Sequence, residues 1–504
     1  MTMATRRTIL RRAGLASLAG LTLPAVAQRA AAAPTTAPVH NVLDHGAAGD
    51  GTTDDTAAFQ SAVDAIAAAG RGTLLVPPHT YNLASEDAGT CVILHADNMT
   101  VRADGATFLR PTEFARGMFI VNTRSGEVPD YGAGIRNLRW YGGRFLGDIS
   151  ARNYICAFGL HNVANCRFEG ITFENCQAGA SHMFDMVGAD DVTIERCRFL
   201  GQETRGETDN VAEAVQIGAS YKGGLTGGHE NVGFSGNMTR GVTIRDCEFL
   251  PWAGQAGPTP FGHHGGVEGK HHHDLRFLGN VVQDPRTSLI PADKPTEAAF
   301  HGVLHLSDAH DVRIVGNVFR QTRPNTTRVV TVSGFDSGVL AGADPDKPDR
   351  GAFAPQAPAD IVIQGNVIEG FSVRPDYEAI CVVGLDGTAA PGVLVSGNTI
   401  TNGAMSDDAA PALRLGNLRA PSVTGNRITD HPVGISLDDG TTAGAMVTDN
   451  LITNTTSSVL PAAITIDPGV TDSTISRNVV NGYTKAVAGE AGEGTDTSGN
   501  VVRP

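Results

Sequence analysis

The stretch HMFDMVGADDVTIERCRF, residues 182–199, decides the fold. Its first half, Phe184-Asp185-Met186, alternates apolar, polar, apolar, the pattern of a strand that buries Phe184 and Met186 and turns Asp185 outward. A turn at Gly188 to Asp190 follows. A second strand carrying Val192 and Ile194 then runs into Cys197 and Phe199. The same grammar returns in DVRIVGNVF ending at Phe319, DIVIQGNVI ending at Ile368 and GVLVSGNTI ending at Ile400. A supersecondary unit that recurs along one chain stacks on its copies, so the reading is a solenoid of β-coils.

Alignment on the turn residue gives Cys166, Cys197, Cys247, Asn280, Asn317, Asn366, Asn398, Asn426, Asn450, Asn478 and Asn500. Stacked turn asparagines can bond each other and the backbone, so the run is structural. The last intervals, 24, 28 and 22 residues, are near the minimum for one coil, whereas those between Cys166 and Asn366 reach 50. The long coils imply insertions at Gly201 to Arg240, Pro251 to His273 and Arg320 to Asp360, and loops on a rigid scaffold carry function.

Composition agrees. The 504 residues include 61 Gly and only 6% aromatics, which suits many short strands and turns. A net charge of -15 argues against nucleic acid or an anionic membrane as a general partner. Seven cysteines, odd in number and widely spread, do not make a disulfide framework, and no metal-binding spacing appears. No cofactor or metal is expected. Residues 1–33 open with Arg6-Arg7, continue through an apolar run from Ala13 to Ala27 and end rich in Ala, which reads as a twin-arginine-type export signal. The run is too short to span a bilayer, so a secreted bacterial protein is expected, with residues 34–504 as one domain.

Residues 41–82 predict a cap. Gly46, Gly49 and Gly51 loosen the backbone, Thr53 or Asp54 starts a helix lined by Phe59, Val63 and Ile66, and Gly70 to Gly72 ends it. Such a helix plugs the open end of a solenoid. The residues Gly46-Ala47-Ala48-Gly49-Asp50-Gly51, Thr53-Asp54-Asp55-Thr56, Gln60 and the turn from Pro77 to Tyr81 resemble the N-terminal signature of the pectate-lyase-like right-handed parallel β-helix superfamily. The resemblance implies an all-β right-handed parallel β-helix with an N-terminal capping helix. Coils carrying insertions would cover about 150–366 and minimal coils 367–504. That superfamily hosts hydrolases, lyases and epimerases, so the resemblance specifies fold more than activity. The Asn-Thr-Asp, Asp pair, Gly-His-Gly and Arg-Ile-Lys set of polygalacturonase-like hydrolases is not intact. Phe261-Gly262-His263-His264-Gly265 is a loose echo of one element, and the Arg base and Asp-bound calcium of the founding pectate lyases have no match.

Chemistry is therefore sought on the outward column. Setting buried pairs in register (Phe184/Met186, Val215/Ile217, Leu304/Leu306, Val330/Val332, Ile380/Val382, Leu413/Leu415, Ile464/Ile466) turns Asp185, Gln216, Glu268, His305, Thr331, Cys381, Arg414 and Thr465 outward. A rung spacing of about 4.8 Å puts Asp185 and Glu268 roughly 9 to 10 Å apart. That is near the spacing of an inverting glycosidase pair. Three residues earlier, His182 and Glu213 are neighbours, and Glu213 is the alternative partner for Asp185. The expected catalytic residues are Asp185, Glu213, Glu268 and His305. Expected substrate contacts are His182, Gln216, Tyr221, Trp252, His263, His264 and Lys270. The expected function is a glycoside hydrolase acting on a polysaccharide. The alternatives are a lyase or epimerase on uronic acids, with His305, the His263 to His273 loop and Lys270 as candidates for the base and the neutralising cation, and a non-catalytic glycan-binding or adhesive surface.

Overall fold

The computed structural model describes residues 37–83, 91–109, 117–124, 127–147, 156–177, 182–202, 213–222, 233–263, 266–267, 269–286, 302–322, 328–334, 339–340, 356–371, 378–385, 387–402, 411–438 and 440–503. The segment expected to direct export lies outside them. So do Glu268 and His264.

Among the described residues, each complete coil contributes one strand to each of three long parallel sheets of 14, 15 and 13 strands, stacked in sequence order. In the reference coil these strands are Phe184–Val187, Asp190–Glu195 and Arg198–Gln202. The stretch after Val192 and Ile194 is thus not one strand continued. The chain bends at Arg196, whose φ is 51°, and starts a third strand. Sequence pattern explains why the bend recurs. Gly279, Gly316, Gly365, Gly397, Gly425 and Gly499, each just before a turn asparagine, also take positive φ, so the repeated Gly-Asn pairs a left-handed residue with a stacking one.

The asparagine ladder runs from Asn280 to Asn500. Asn398 is typical: its Nδ2 donates to Ile363 O at 3.0 Å and to Asn426 Oδ1 at 3.0 Å. Its Oδ1 accepts from the backbone and side-chain amides of Asn366 at 3.0 and 2.9 Å. Cys247 precedes the ladder, donating its backbone N–H to Asn280 Oδ1 at 2.9 Å. Asn398 is fully buried, so Asn398→Ala strands donors and acceptors away from water. We expect a loss of about 2–3 kcal/mol in denaturant unfolding with the fold retained.

The interior between the sheets is apolar, with aromatics in its N-terminal half. Phe173, Phe199 and Phe249 stack at 4.9 and 4.6 Å, and Phe158 lies on Phe184 at 5.0 Å. The cap helix forms, but it starts later than the sequence reading placed it, with Asp55 and not Thr53 or Asp54 in the N-cap position. The helix Thr56–Ala69 buries Phe59, Val63 and Ile66, and ends at Gly70 in the left-handed region. Of the acidic pair, Asp54 accepts the Thr56 N–H at 3.0 Å, while Asp55 accepts the Ala48 N–H at 2.6 Å and so fastens the glycine loop. Residues 38–504 form one compact unit.

Two register expectations change. The segment Pro251 to His273 is not simply an insertion, because it contains a strand of the third sheet, Thr259–His263. Its outward residue is Gly262, paired with Gln216 on one side and His305 on the other, so Gly262 holds the rung that the sequence reading gave to Glu268. Thr-Pro-Phe-Gly-His hides this strand because one inward position holds His263 in place of an aliphatic. The strand Ile435–Leu437 adds Ser436 between Arg414 and Thr465.

Candidate active site

The third sheet presents the outward column. In rung order it reads Asp185, Gln216, Gly262, His305, Thr331, Cys381, Arg414, Ser436 and Thr465. The strand Glu213–Gly218 carries both Gln216 and Glu213. Glu213 stands in register with Thr259 at the leading edge of the sheet, where the chain enters from the second sheet.

Glu213 is the meeting point. His305 Nε2 lies 2.6 Å from its Oε1, and His182 Nδ1 lies 3.6 Å from its Oε2. His182 Nδ1 also donates to the Glu213 carbonyl at 2.8 Å. With the other His305 nitrogen, Nδ1, donating to Gly302 O at 3.3 Å, the Nε2 side and the carboxylate hold one proton between them. All of these groups are buried: Asp185 and Glu213 are 0% exposed, His305 3%, His182 4% and Gln216 7%. A carboxylate and an imidazole withdrawn from water interact far more strongly than at a wet surface.

Beyond His305 an ion ladder continues along the face. Arg328 Nε meets Glu378 Oε2 at 2.5 Å, and Arg414 bridges Glu378 Oε1 at 3.2 Å to Asp438 Oδ1 at 3.0 Å. Ser436 Oγ donates to Asp438 Oδ2 at 2.9 Å. Apart from Arg414, the sequence pattern did not reveal this ladder, because Arg328, Glu378 and Asp438 lie just outside the alternating cores of their strands.

Other expected contacts fall elsewhere. His263 occupies the inward register of Ile217, is 5% exposed, and accepts the Ser307 N–H on Nε2 at 2.7 Å, so it secures a turn. Its ring packs on His272 at 4.7 Å. Lys270 donates to Gly236 O at 2.6 Å and ties two connecting segments together. His271 stacks on His310 at 3.8 Å while His272 donates to Thr239 O, so the His271–His273 run faces different ways. Among the described residues no group of three or more His, Cys, Asp or Glu is arranged to hold a metal ion. Trp252, 42% exposed, precedes the third-sheet strand, whereas Tyr221 follows one, so the two aromatics flank opposite edges of the face.

The family model for rhamnogalacturonase A/epimerase, pectate lyase-like, matches residues 39–88. Mannuronan C5-epimerase AlgE6 of Azotobacter vinelandii is 44% identical over 68 residues, covering 13% of this chain and 8% of that protein. The plasmin and fibronectin-binding protein A of Streptococcus pneumoniae is 28% identical over 180 residues, covering 32% of this chain and 24% of the relative. The chain therefore spans under a third of either curated relative. Over the whole fold, the crystal structure of PfbA, a surface adhesin of Streptococcus pneumoniae, aligns with a TM-score of 0.58 at 17% identity, covering 90% of this chain and 92% of that one. The catalytic unit of an α-1,3-glucanase from Streptomyces thermodiastaticus aligns at 0.50 and 14% identity, covering 92% and 71%. Three stacked parallel sheets and the capped first coil thus give the chain the parallel β-helix fold of the proteins it is similar to.

Proposed function

We propose that the protein is a secreted carbohydrate-active enzyme that hydrolyses a polysaccharide across the outward face of the third sheet. The observation that carries this reading is the Glu213–His305 contact, a buried carboxylate sharing a proton with an imidazole whose other nitrogen is already committed. Glu213 gives that proton to the glycosidic oxygen as the bond from the anomeric carbon breaks. Asp185, on the neighbouring rung, takes a proton from the water whose oxygen bonds to that carbon. One water is consumed; Asp185 releases the proton it took to solvent, and His305 relays one from solvent back to Glu213. Burial keeps the local dielectric low.

Charge favours a neutral glycan. Along the face Asp185, Glu213, Glu378 and Asp438 face two guanidinium groups, Arg328 and Arg414, and both guanidiniums are ion-paired. Lysis or epimerisation of a uronic acid is the second reading. It is favoured by Arg328, a cation just before the strand that pairs with that of His305, and by the local likeness to a mannuronan C5-epimerase.

The full chain is to be incubated with α-1,3-glucan, polymannuronate and polygalacturonate, and the product ends analysed. New reducing ends without unsaturated sugars are expected, and Asp185→Asn should remove them. Unsaturated uronyl ends, or full activity in Asp185→Asn, would overturn the hydrolase assignment. Binding with no cleavage would make the face a glycan-binding surface.

A further inference from the structure

From Asp185 to Thr465, Gly262 is the one outward position of the column without a side chain. The backbone does not demand glycine there, since its φ is outside the positive range that favours one. Glycine within a strand costs stability relative to a residue with a side chain, so its presence marks the close approach of another group. Here that group is identified by geometry. A Cβ built on Gly262 falls 2.4 Å from His305 Cε1, 2.4 Å from Nε2 and 2.9 Å from Cδ2, and these ring atoms are its three nearest neighbours.

Parallel strands stack about 4.8 Å apart, and His305 sits one rung from Gly262 and two from the strand of Glu213. To place Nε2 at 2.6 Å from Glu213, the His305 ring must lie back along the stack, over the intervening rung. Any side chain at that rung occupies the same space. Gln216 on the preceding rung and Thr331 on the rung after His305 both carry side chains, so the gap is confined to the one position the ring crosses.

We propose that Gly262 is a positioning residue: its missing side chain is the slot through which His305 reaches Glu213. The proposal rests on the reading of Glu213 and His305 as a proton-transfer pair, but its physical content, the contact itself, does not depend on any substrate. Because the three nearest atoms are all at the end of one side chain, an alanine is accommodated by swinging the imidazole away, not by moving the coil.

The test uses the full chain as native protein and as Gly262→Ala, Glu213→Gln and His305→Asn, with ring-nitrogen labelled histidine. The His305→Asn spectrum assigns the His305 ring signals, and Glu213→Gln shows where they move when the carboxylate is lost. Gly262→Ala is expected to move the His305 signals towards their position in Glu213→Gln, with thermal unfolding close to native. If a glycan is cleaved, its kcat should fall at least about 10-fold with KM little changed, as for loss of part of a proton-transfer contribution. Unchanged His305 signals in Gly262→Ala would overturn the proposal whatever the activity. If no glycan is cleaved by the native protein, the hydrolase reading fails while the ring signals still decide whether Gly262 positions His305. Should Gly262→Ala fold poorly, the native and Glu213→Gln spectra still decide: His305 ring signals that do not move between them would show that the ring does not reach Glu213 and would sink the proposal.

Discussion

Glu213→Gln is expected to lower polysaccharide cleavage by roughly 10²- to 10⁴-fold, the range of a lost general acid. Gln keeps the shape and a hydrogen-bonding carbonyl, so the contacts to His182 and His305 survive in outline while the transferable proton does not. Circular dichroism should remain native, and the loss should appear in kcat with KM near native, because the proton moves in the transition state. Glu213→Ala is a harsher change. It leaves a buried imidazole without its acid, and stability should drop with activity. Comparable activity in native and Glu213→Gln would show that the pair is structural.

The second large effect is on stability against pH. Burial pulls the His161 and His431 imidazoles down from 6.5 to about 4. His161 lies 2.7 Å from Ser220 Oγ, and neither ring nitrogen of His431 has a hydrogen-bond partner among the described residues. Because their folded values are depressed, each contributes stability that is fully present above pH 6.5 and lost as pH falls through about 4, roughly 3 kcal/mol apiece. Asp308 opposes them. Burial raises its carboxyl from 3.8 to about 7, so its contribution is present below 3.8 and lost as pH rises through about 7. The native protein should therefore show only a modest net change between pH 7 and 4, with the component terms exposed by substitution. His431→Phe should remove about 3 kcal/mol of the acid-driven loss, and Asp308→Asn should make that loss steeper. Denaturant unfolding at pH 7, 5.5 and 4 measures both, and parallel curves for native and His431→Phe would contradict the account.

The fold was largely legible because its signals are local. The alternation at Phe184-Asp185-Met186 and the repeated Gly-Asn each report a fixed backbone geometry, and seven buried pairs fell into register from sequence alone. Legibility failed where side-chain chemistry replaced the pattern. In Thr259–His263 only Phe261 keeps the apolar inward period, so the strand was passed over and its outward glycine went unseen. Glu268 takes its place in the sequence column only by counting back from Asp274. The pairing of His182 with Glu213 was visible as a spacing. The reach of His305 across Gly262 was not, because it depends on a side chain crossing between coils, and no spacing within one coil encodes that.

The most direct test of the central claim is the crystal structure of Glu213→Gln with an oligosaccharide of whichever glycan the native chain cleaves. The account predicts a sugar chain running along the third sheet, with its scissile oxygen within hydrogen-bond distance of the residue 213 side chain and the sugar's anomeric carbon facing Asp185. An oligosaccharide bound on the first or second sheet, or on this face with no contact to residue 213, His305 or Asp185, would contradict it.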